Sequence, residues 1–381
     1  MSGNDETPRL NIENILLFDE TLFRDSNAFD PAYVPEDYKY RDAQMGALAM
    51  CIRPALKNGK PTNAVILGPC ASGKTTAIKK IFELVENTSD KVVCCHVNCQ
   101  TNNTPFSIIS QIHQKVIGFK PPQTGSPLTK AYDTIMKKLS DNKKALVVAL
   151  DDVQYLFQRN HANTVFYDIL KAHETYPDVK TSVFAIVSEI EFRYLLDKSV
   201  NSVFIPQEIV FQPYTRSEIS SILSDRVRIG FYPEVMPEEV LEEIIETTSE
   251  MGDLRIGINL LRLCGNIAES EASKKITFNH LEKAMSESTD IGLSTILSTL
   301  TKNERLVLKY ICMLDETYTA GELFEYITEE ENISYATYDR ALNKLEFLRL
   351  IDLNFTGKGK VGNSRLITLR FSPEQINNCL I

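Results

Sequence analysis

Long apolar runs are missing from this chain. Its 381 residues are 43% hydrophobic, yet the longest uninterrupted stretches are about the length of Ala145-Leu146-Val147-Val148-Ala149-Leu150, against the roughly 18 residues that a membrane-spanning helix needs. No transmembrane helix is expected. The opening residues, Met1-Ser2-Gly3-Asn4-Asp5-Glu6, also lack the basic patch and apolar core of a secretory signal, so a cytoplasmic location and no membrane partner are expected. Excess positive charge is absent too: 41 Lys and Arg face 51 Asp and Glu, a formal net charge of −10. That argues against a surface coated in nucleic acid by bulk charge, and leaves room for a local basic element. Eight cysteines over this length do not form a disulfide framework. Their one cluster, Cys94-Cys95-His96-Val97-Asn98-Cys99, has no second half at zinc-ligand spacing and reads as an apolar strand beginning at Val92. No internal repeat at a solenoid period is visible.

What is present suffices for two or three domains, at roughly 100–200 residues each. A helix is expected over Asp42–Lys57, stopped by Asn58-Gly59-Lys60-Pro61. Apolar runs then recur at Ala64–Leu67, Val92–Val97, Ala145–Leu150, Val183–Val187 and, more weakly, Ile205–Phe211. Helical patterns separate them at Thr75–Val85, Pro105–Val116, Leu128–Leu139 and Thr164–His173. Buried strands alternating with helices indicate a parallel sheet in an α/β domain. After Pro213-Tyr214 the strand signal ends, and helical segments at Arg216–Arg228, Pro237–Thr248, Asp253–Ser270 and Phe278–Ser286 imply a small all-α domain. Ser286–Ser294, rich in Ser, Thr, Asp and Gly, reads as a linker. Helices at Lys302–Leu314, Thr319–Glu330 and Ser334–Leu348 precede strands at Leu350–Phe355 and Leu366–Phe371 with a glycine-tipped turn, the order of a winged-helix module. The expected division is an arm over 1–41, an α/β base over 42–213, a helical lid over 214–288 and a winged helix over 289–381.

Gly68-Pro69-Cys70-Ala71-Ser72-Gly73-Lys74-Thr75 fits G-x₄-G-K-[ST], directly after a strand and at the start of a helix. In such a loop the backbone N–H groups from Gly68 to Thr76, Pro69 excepted because proline has none, curl around phosphates, Lys74 reaches the β- and γ-phosphates, and the Thr75 hydroxyl is offered to Mg²⁺. The strand Ala145–Leu150 ends in Asp151-Asp152, at the sheet edge where ligands of α/β folds bind. Asp151 is expected to hold Mg²⁺ through water and Asp152 to orient the attacking water. Two solvated aspartates are the plain alternative, weakened by the phosphate loop beside them. Gly252-Asp253-Leu254-Arg255 opens a helix that leaves Arg255 off its apolar face; it is either a surface arginine or a contact for the γ-phosphate.

On Ser334–Leu348, Tyr335, Tyr338, Leu342 and Leu345 form the expected buried stripe, with Thr337, Arg340 and Lys344 facing away. Residues 332–381 hold seven basic and four acidic side chains, whereas 290–331 hold three basic and nine acidic. That polarity suits a recognition helix in a major groove and a basic wing, carrying Lys358, Lys360 and Arg365, on the phosphates. A winged helix used for protein contacts is the competing possibility.

Together these features resemble the archaeal replication initiators related to the first subunit of the eukaryotic origin recognition complex and to its cell-division-cycle loader paralogue, AAA+ ATPases with a C-terminal winged helix. The likeness runs from about Tyr33 onward through Tyr33-Val34-Pro35-Glu36 with Arg41-Asp42, the phosphate loop and Asp151-Asp152, Phe211-Gln212-Pro213-Tyr214, and Gly252-Asp253-Leu254-Arg255. The resemblance implies ATP or ADP with Mg²⁺ as cofactors, Val34 and Arg41 bordering the adenine pocket, and Arg255 as the lid's sensor of the γ-phosphate. It further implies a DNA-touching insertion around Thr104–Gly118, double-stranded origin DNA as ligand, the replicative helicase and paralogous initiators as partners, and a nucleoid-associated protein. The chain departs from the family at Asp152, where glutamate is usual, at Ser188, where a polar sensor asparagine is usual, and at Ser199 beside Lys198, where an arginine acting in trans is common. These departures imply firm nucleotide binding with slow hydrolysis. Two other functions remain open at this point: a nucleotide-regulated transcription factor, and an interaction platform with incidental DNA contacts.

Overall fold

The computed structural model describes residues 21–122, 127–188, 196–313, 318–348, 350–359 and 362–380. The chain forms two compact units, Met1–Arg262 and Leu263–Ile381, with the division falling inside the helix Leu254–Ser270.

In the first unit five strands, β1 (Ala64–Leu67), β2 (Val92–Asn98), β3 (Ala145–Asp151), β4 (Lys180–Val187) and β5 (Gln207–Val210), form one sheet in the order β2-β3-β4-β1-β5. All neighbours run parallel. Every residue of β1 and β3 is buried, because helices cover both faces of the sheet; that is why these strands appear in the sequence as unbroken apolar runs rather than alternating ones. One core holds Val148, Leu150, Phe166 and Ile108; the other holds Ile66, Ile78, Phe82 and Phe184. The run expected as the helix Thr164–His173 is two pieces, Ala162–Leu170 and Ala172–Thr175.

The arm is tied to the helix Arg216–Gly230. Phe23 bridges Phe231 in antiparallel sense, and the Phe29 and Phe231 rings lie 4.7 Å apart. Arg226 donates to the Ala28 carbonyl at 2.6 Å and stacks on the Tyr33 ring at 4.3 Å. Gly230, the last residue of that helix, leaves room for the arm, since a Cβ there would lie 2.3 Å from the Phe29 ring.

In the second unit the helix Phe278–Ser298 runs straight through the stretch expected to be a linker. Leu293 and Leu297 are each 1% exposed and join the core of the C-terminal helices, so apolar burial one turn apart overrides the weak helix propensity of the Ser, Thr and Gly around them. Helices Lys302–Met313, Ala320–Glu330 and Tyr335–Phe347 follow, then the antiparallel pair β6 (Ile351–Gly359) and β7 (Gly362–Leu369), and a helix, Pro373–Leu380, that sequence patterning did not reveal. The hairpin is longer than expected: pairing reaches Gly359 opposite Gly362, with a register shift between Phe355 and Lys358 absorbing the glycine-rich stretch. This order of helices and hairpin is consistent with a winged helix. Its core centres on Tyr338, which is 1% exposed and donates its hydroxyl to the Ala320 carbonyl at 2.8 Å. Tyr335, expected in the same buried stripe, is 58% exposed and meets Phe324 edge-on. At the first turn of its helix it lies at the rim of that core.

Adding a methyl at Gly230 forces it into Phe29, so Gly230→Ala should destabilise the chain by about 1–3 kcal/mol. Gly46→Ala, which meets nothing within 4 Å inside a helix, should hold or slightly raise the melting temperature. Thermal unfolding of both variants checks the pair.

Candidate nucleotide site

The loop after β1 takes three backbone conformations of positive φ, at Gly68 (152°), Ala71 (56°) and Gly73 (94°). Two of them also need the absence of a side chain. A Cβ on Gly68 would lie 2.3 Å from the Phe211 carbonyl oxygen, and one on Gly73 would lie 2.5 Å and 2.6 Å from the Tyr38 and Tyr214 hydroxyls. The loop then runs into the helix Lys74–Thr88, whose N-terminus offers unpaired N–H groups and positive potential to an anion.

A cleft of about 750 Å³ opens over this loop, lined by arm residues including Tyr33, Val34 and Tyr38, by Cys70 through Thr76, and by Asp151, Asp152, Ser188, Tyr214 and Arg255. The Lys74 ammonium is held by the Gly68 and Pro69 carbonyls, each at 2.7 Å, and burial lowers its pKa. Thr75 donates its hydroxyl to Asp151 Oδ2 at 2.7 Å. Burial pushes the Asp151 carboxyl up, but hydrogen bonds from His96 and Thr75 and the nearby Lys74 charge outweigh it and hold the group below the usual carboxylate range. Asp152 moves the other way, raised by burial and by Asp151. The pair therefore separates into a firmly ionised acid and a more basic one. Asp152 has φ 57°, a left-handed conformation that Asp adopts more readily than most residues. Ser188 follows the last residue of β4 and faces the cleft.

Arg255 is fastened to Asp253, with Nε to Oδ1 at 3.0 Å and Nη2 to Oδ2 at 2.7 Å, and lines the cleft together with Cys70. Its place is thus in the cleft beside the phosphate loop.

Most of the residues singled out for nucleotide therefore converge on one cleft. Arg41 does not line it. This guanidinium is 4% exposed and donates to the Ser72 carbonyl at 3.1 Å and the Gln212 carbonyl at 2.8 Å, with its plane 3.9 Å from the Tyr214 ring. It braces the loop from behind. Gly68 and Pro69 likewise shape the loop without lining the cleft, and contribute the carbonyls that hold Lys74. Sequence reasoning missed Tyr38, whose hydroxyl donates to the Gly73 carbonyl at 2.7 Å, and His96, whose Nε2 lies 3.0 Å from Asp151 Oδ2.

Magnesium fits the residues present. Thr75 and Asp151 supply hard oxygen donors side by side, and Mg²⁺ is ordinarily held by one or two carboxylates with substrate phosphates completing its shell. When bound it would neutralise phosphate charge.

In the second unit Arg340 and Lys344 are exposed on the helix Tyr335–Phe347, with Asn343 between them. Thr337 is half-buried, and its hydroxyl pairs with Ser334 in the helix cap at 2.9 Å. Arg365 is taken up internally: it is ion-paired to Asp339 and donates to Asn343 Oδ1 at 2.9 Å. Lys360 lies outside the described residues, as does the side chain of Lys358.

The parallel sheet, the phosphate loop and the paired acids define a P-loop nucleotide-binding protein with an attached helical lid. Comparison with known proteins agrees. A family model described as an AAA domain matches residues 58–196, and one described as a Cdc6 AAA+ ATPase-type lid domain matches residues 220–286. The chain is 57% identical over 371 residues to the ORC1-type DNA replication protein 2 of Methanothermobacter thermautotrophicus, covering 97% of this chain and 98% of the relative. It is 41% identical over 380 residues to the ORC1-type DNA replication protein 2 of Methanosarcina acetivorans, covering 100% and 99%. Among solved structures it matches Aeropyrum pernix ORC1 in complex with DNA, with a TM-score of 0.81 at 26% identity, over 95% of this chain and 97% of that one. The chain belongs to the family of ORC1-type DNA replication proteins.

Lys74→Ala removes the only lysine of the phosphate loop, and equilibrium dialysis with ADP should show retention lost. A variant that binds ADP as tightly as the parent would exclude this loop as the phosphate site.

Proposed function

We propose that the chain is an ATP- and Mg²⁺-binding replication initiator that recognises double-stranded origin DNA, with residues 42–213 as the nucleotide base, 214–288 as the lid and 289–381 as the DNA-reading module. The observation that carries this is the likeness over nearly the whole chain to a protein solved in complex with DNA, joined to an exposed basic face at Arg340 and Lys344 on the helix expected to read the groove. Thr337 lies on the same helix. The replicative helicase and paralogous initiators are the protein partners this function calls for, and the nucleoid is its place of work.

Nucleotide binding and hydrolysis separate in this chain. The loop, Lys74, Thr75 and Asp151 hold the nucleotide; Asp152 accepts the proton of an attacking water, with Ser188 polarising the same region. Aspartate is one methylene shorter than glutamate, so its carboxylate stands farther from the water, and Ser188 offers a single hydroxyl where an amide is usual. Hydrolysis is accordingly slow, and the protein acts as a nucleotide-held DNA binder.

Chromatin immunoprecipitation with sequencing in the source organism, run beside Lys74→Ala, tests the function. Peaks confined to replication origins are expected; peaks scattered over promoters would make the chain a transcription regulator instead, and no specific peaks would leave an interaction platform. The joint variant Arg340→Ala and Lys344→Ala should weaken binding to origin DNA at least about tenfold while sparing ADP affinity, since each lost phosphate or base contact costs on the order of 1–3 kcal/mol. Unchanged DNA affinity would move the contact off this helix. Asp152→Glu should raise steady-state phosphate release from ATP, and an unchanged rate would place the limit elsewhere than the length of this acid.

A further inference from the structure

The strand cluster Cys94-Cys95-His96 contains one residue that burial does not explain. Cys94 and Cys95 are 3% and 4% exposed, and burial pushes both thiols up to about 12; they are packing residues. His96 is different. β2 and β3 pair so that His96 stands opposite Ala149 and Asn98 opposite Asp151, and the imidazole reaches forward to the carboxylate, Nε2 to Oδ2 at 3.0 Å. An ionised carboxylate only accepts, so Nε2 carries the hydrogen. The same Oδ2 accepts the Thr75 hydroxyl at 2.7 Å. Two donors from different elements, one on β2 and one on the helix after the phosphate loop, thus fix one oxygen of an acid whose side chain is 5% exposed.

We propose that His96 is a positioning residue that sets the Asp151 carboxylate for Mg²⁺. The proposal rests on the nucleotide reading of the cleft. His96 does not line that cleft; it opens instead on a separate groove between the helices Lys74–Thr88 and Pro105–Ile117, so it acts through Asp151 and touches neither nucleotide nor metal. In the proposed arrangement the Thr75 oxygen is itself a metal ligand and moves with the ion, whereas His96 is anchored in the sheet. It is the donor that keeps Asp151 oriented whatever the metal does. Donors that hold a ligating side chain from outside are commonly worth 10–100-fold in metal affinity.

The test is a titration of the full chain with Mg²⁺, reading the affinity for a fluorescent ADP analogue in EDTA and at rising Mg²⁺. His96→Phe keeps a ring in the strand without a donor, and His96→Gln returns an N–H close to the Nε2 position. His96→Phe should raise the Mg²⁺ concentration for half-maximal tightening at least about tenfold with affinity in EDTA unchanged, and His96→Gln should recover most of the loss. A His96→Phe variant that responds to Mg²⁺ like the parent overturns the proposal. So does one that loses affinity equally with and without Mg²⁺, because that marks a structural role. If the parent binds no nucleotide, the nucleotide reading itself fails and takes the proposal with it; if it binds nucleotide with no response to Mg²⁺, that reading stands and the proposal is overturned.

Discussion

The first unit depends on one buried cation. Arg41 joins three segments distant in sequence: it belongs to the arm, donates to the Ser72 carbonyl in the phosphate loop, and donates to the Gln212 carbonyl just beyond β5. Its flat face lies on Tyr214, immediately before the helix Arg216–Gly230. A guanidinium taken out of water needs its donors filled, and here backbone carbonyls and an aromatic face do this. The loop's positive-φ residues are thus backed by a rigid surface, and Tyr38 and Tyr214 close over Gly73 from the other side. The same group thus touches arm, loop and the start of the helical segment at once.

In the second unit, charges that seem alike in the sequence divide into two uses. Arg365 and Arg370 are consumed by Asp339 and Asp352 within the unit. The first pair ties β7 to the helix Tyr335–Phe347. Arg340 and Lys344, with Asn343 between them, stay on the exposed face. The excess of basic residues after residue 332 therefore does not translate directly into exposed positive charge, and the proposed DNA contact rests on a few of them.

Much of this is legible in the amino-acid sequence, and the parts that are not have physical reasons. Parallel strands covered on both faces announce themselves as continuous apolar runs, so β1 and β3 were readable almost to the residue, and the phosphate loop follows from glycines at positions where a Cβ would collide. The linker expected at Ser286–Ser294 failed because propensity is a local quantity, while Leu293 and Leu297 are held helical by a core assembled from residues far along the chain. Tyr335 shares the helical spacing of Tyr338 but sits at the core's rim, which periodicity cannot distinguish. His96 escaped for a different cause. Its importance lies in being beside Asp151, and that adjacency comes from the pairing of β2 with β3.

The same geometry bears on the slow hydrolysis proposed for this site. Asp151 is held on one oxygen by Thr75 and His96 and kept ionised, which favours a tightly seated metal and nucleotide. Asp152, next in the chain, sits in a left-handed backbone conformation, half-buried, with its pKa raised. A raised pKa makes it the better base of the two, yet the short side chain and fixed backbone limit where that base can be placed. Freeing the backbone there would disturb the end of β3 and with it Asp151. Under the proposed function, binding rests on the first acid and hydrolysis on the second, so the two can change separately although they are neighbours in the chain and share the end of one strand.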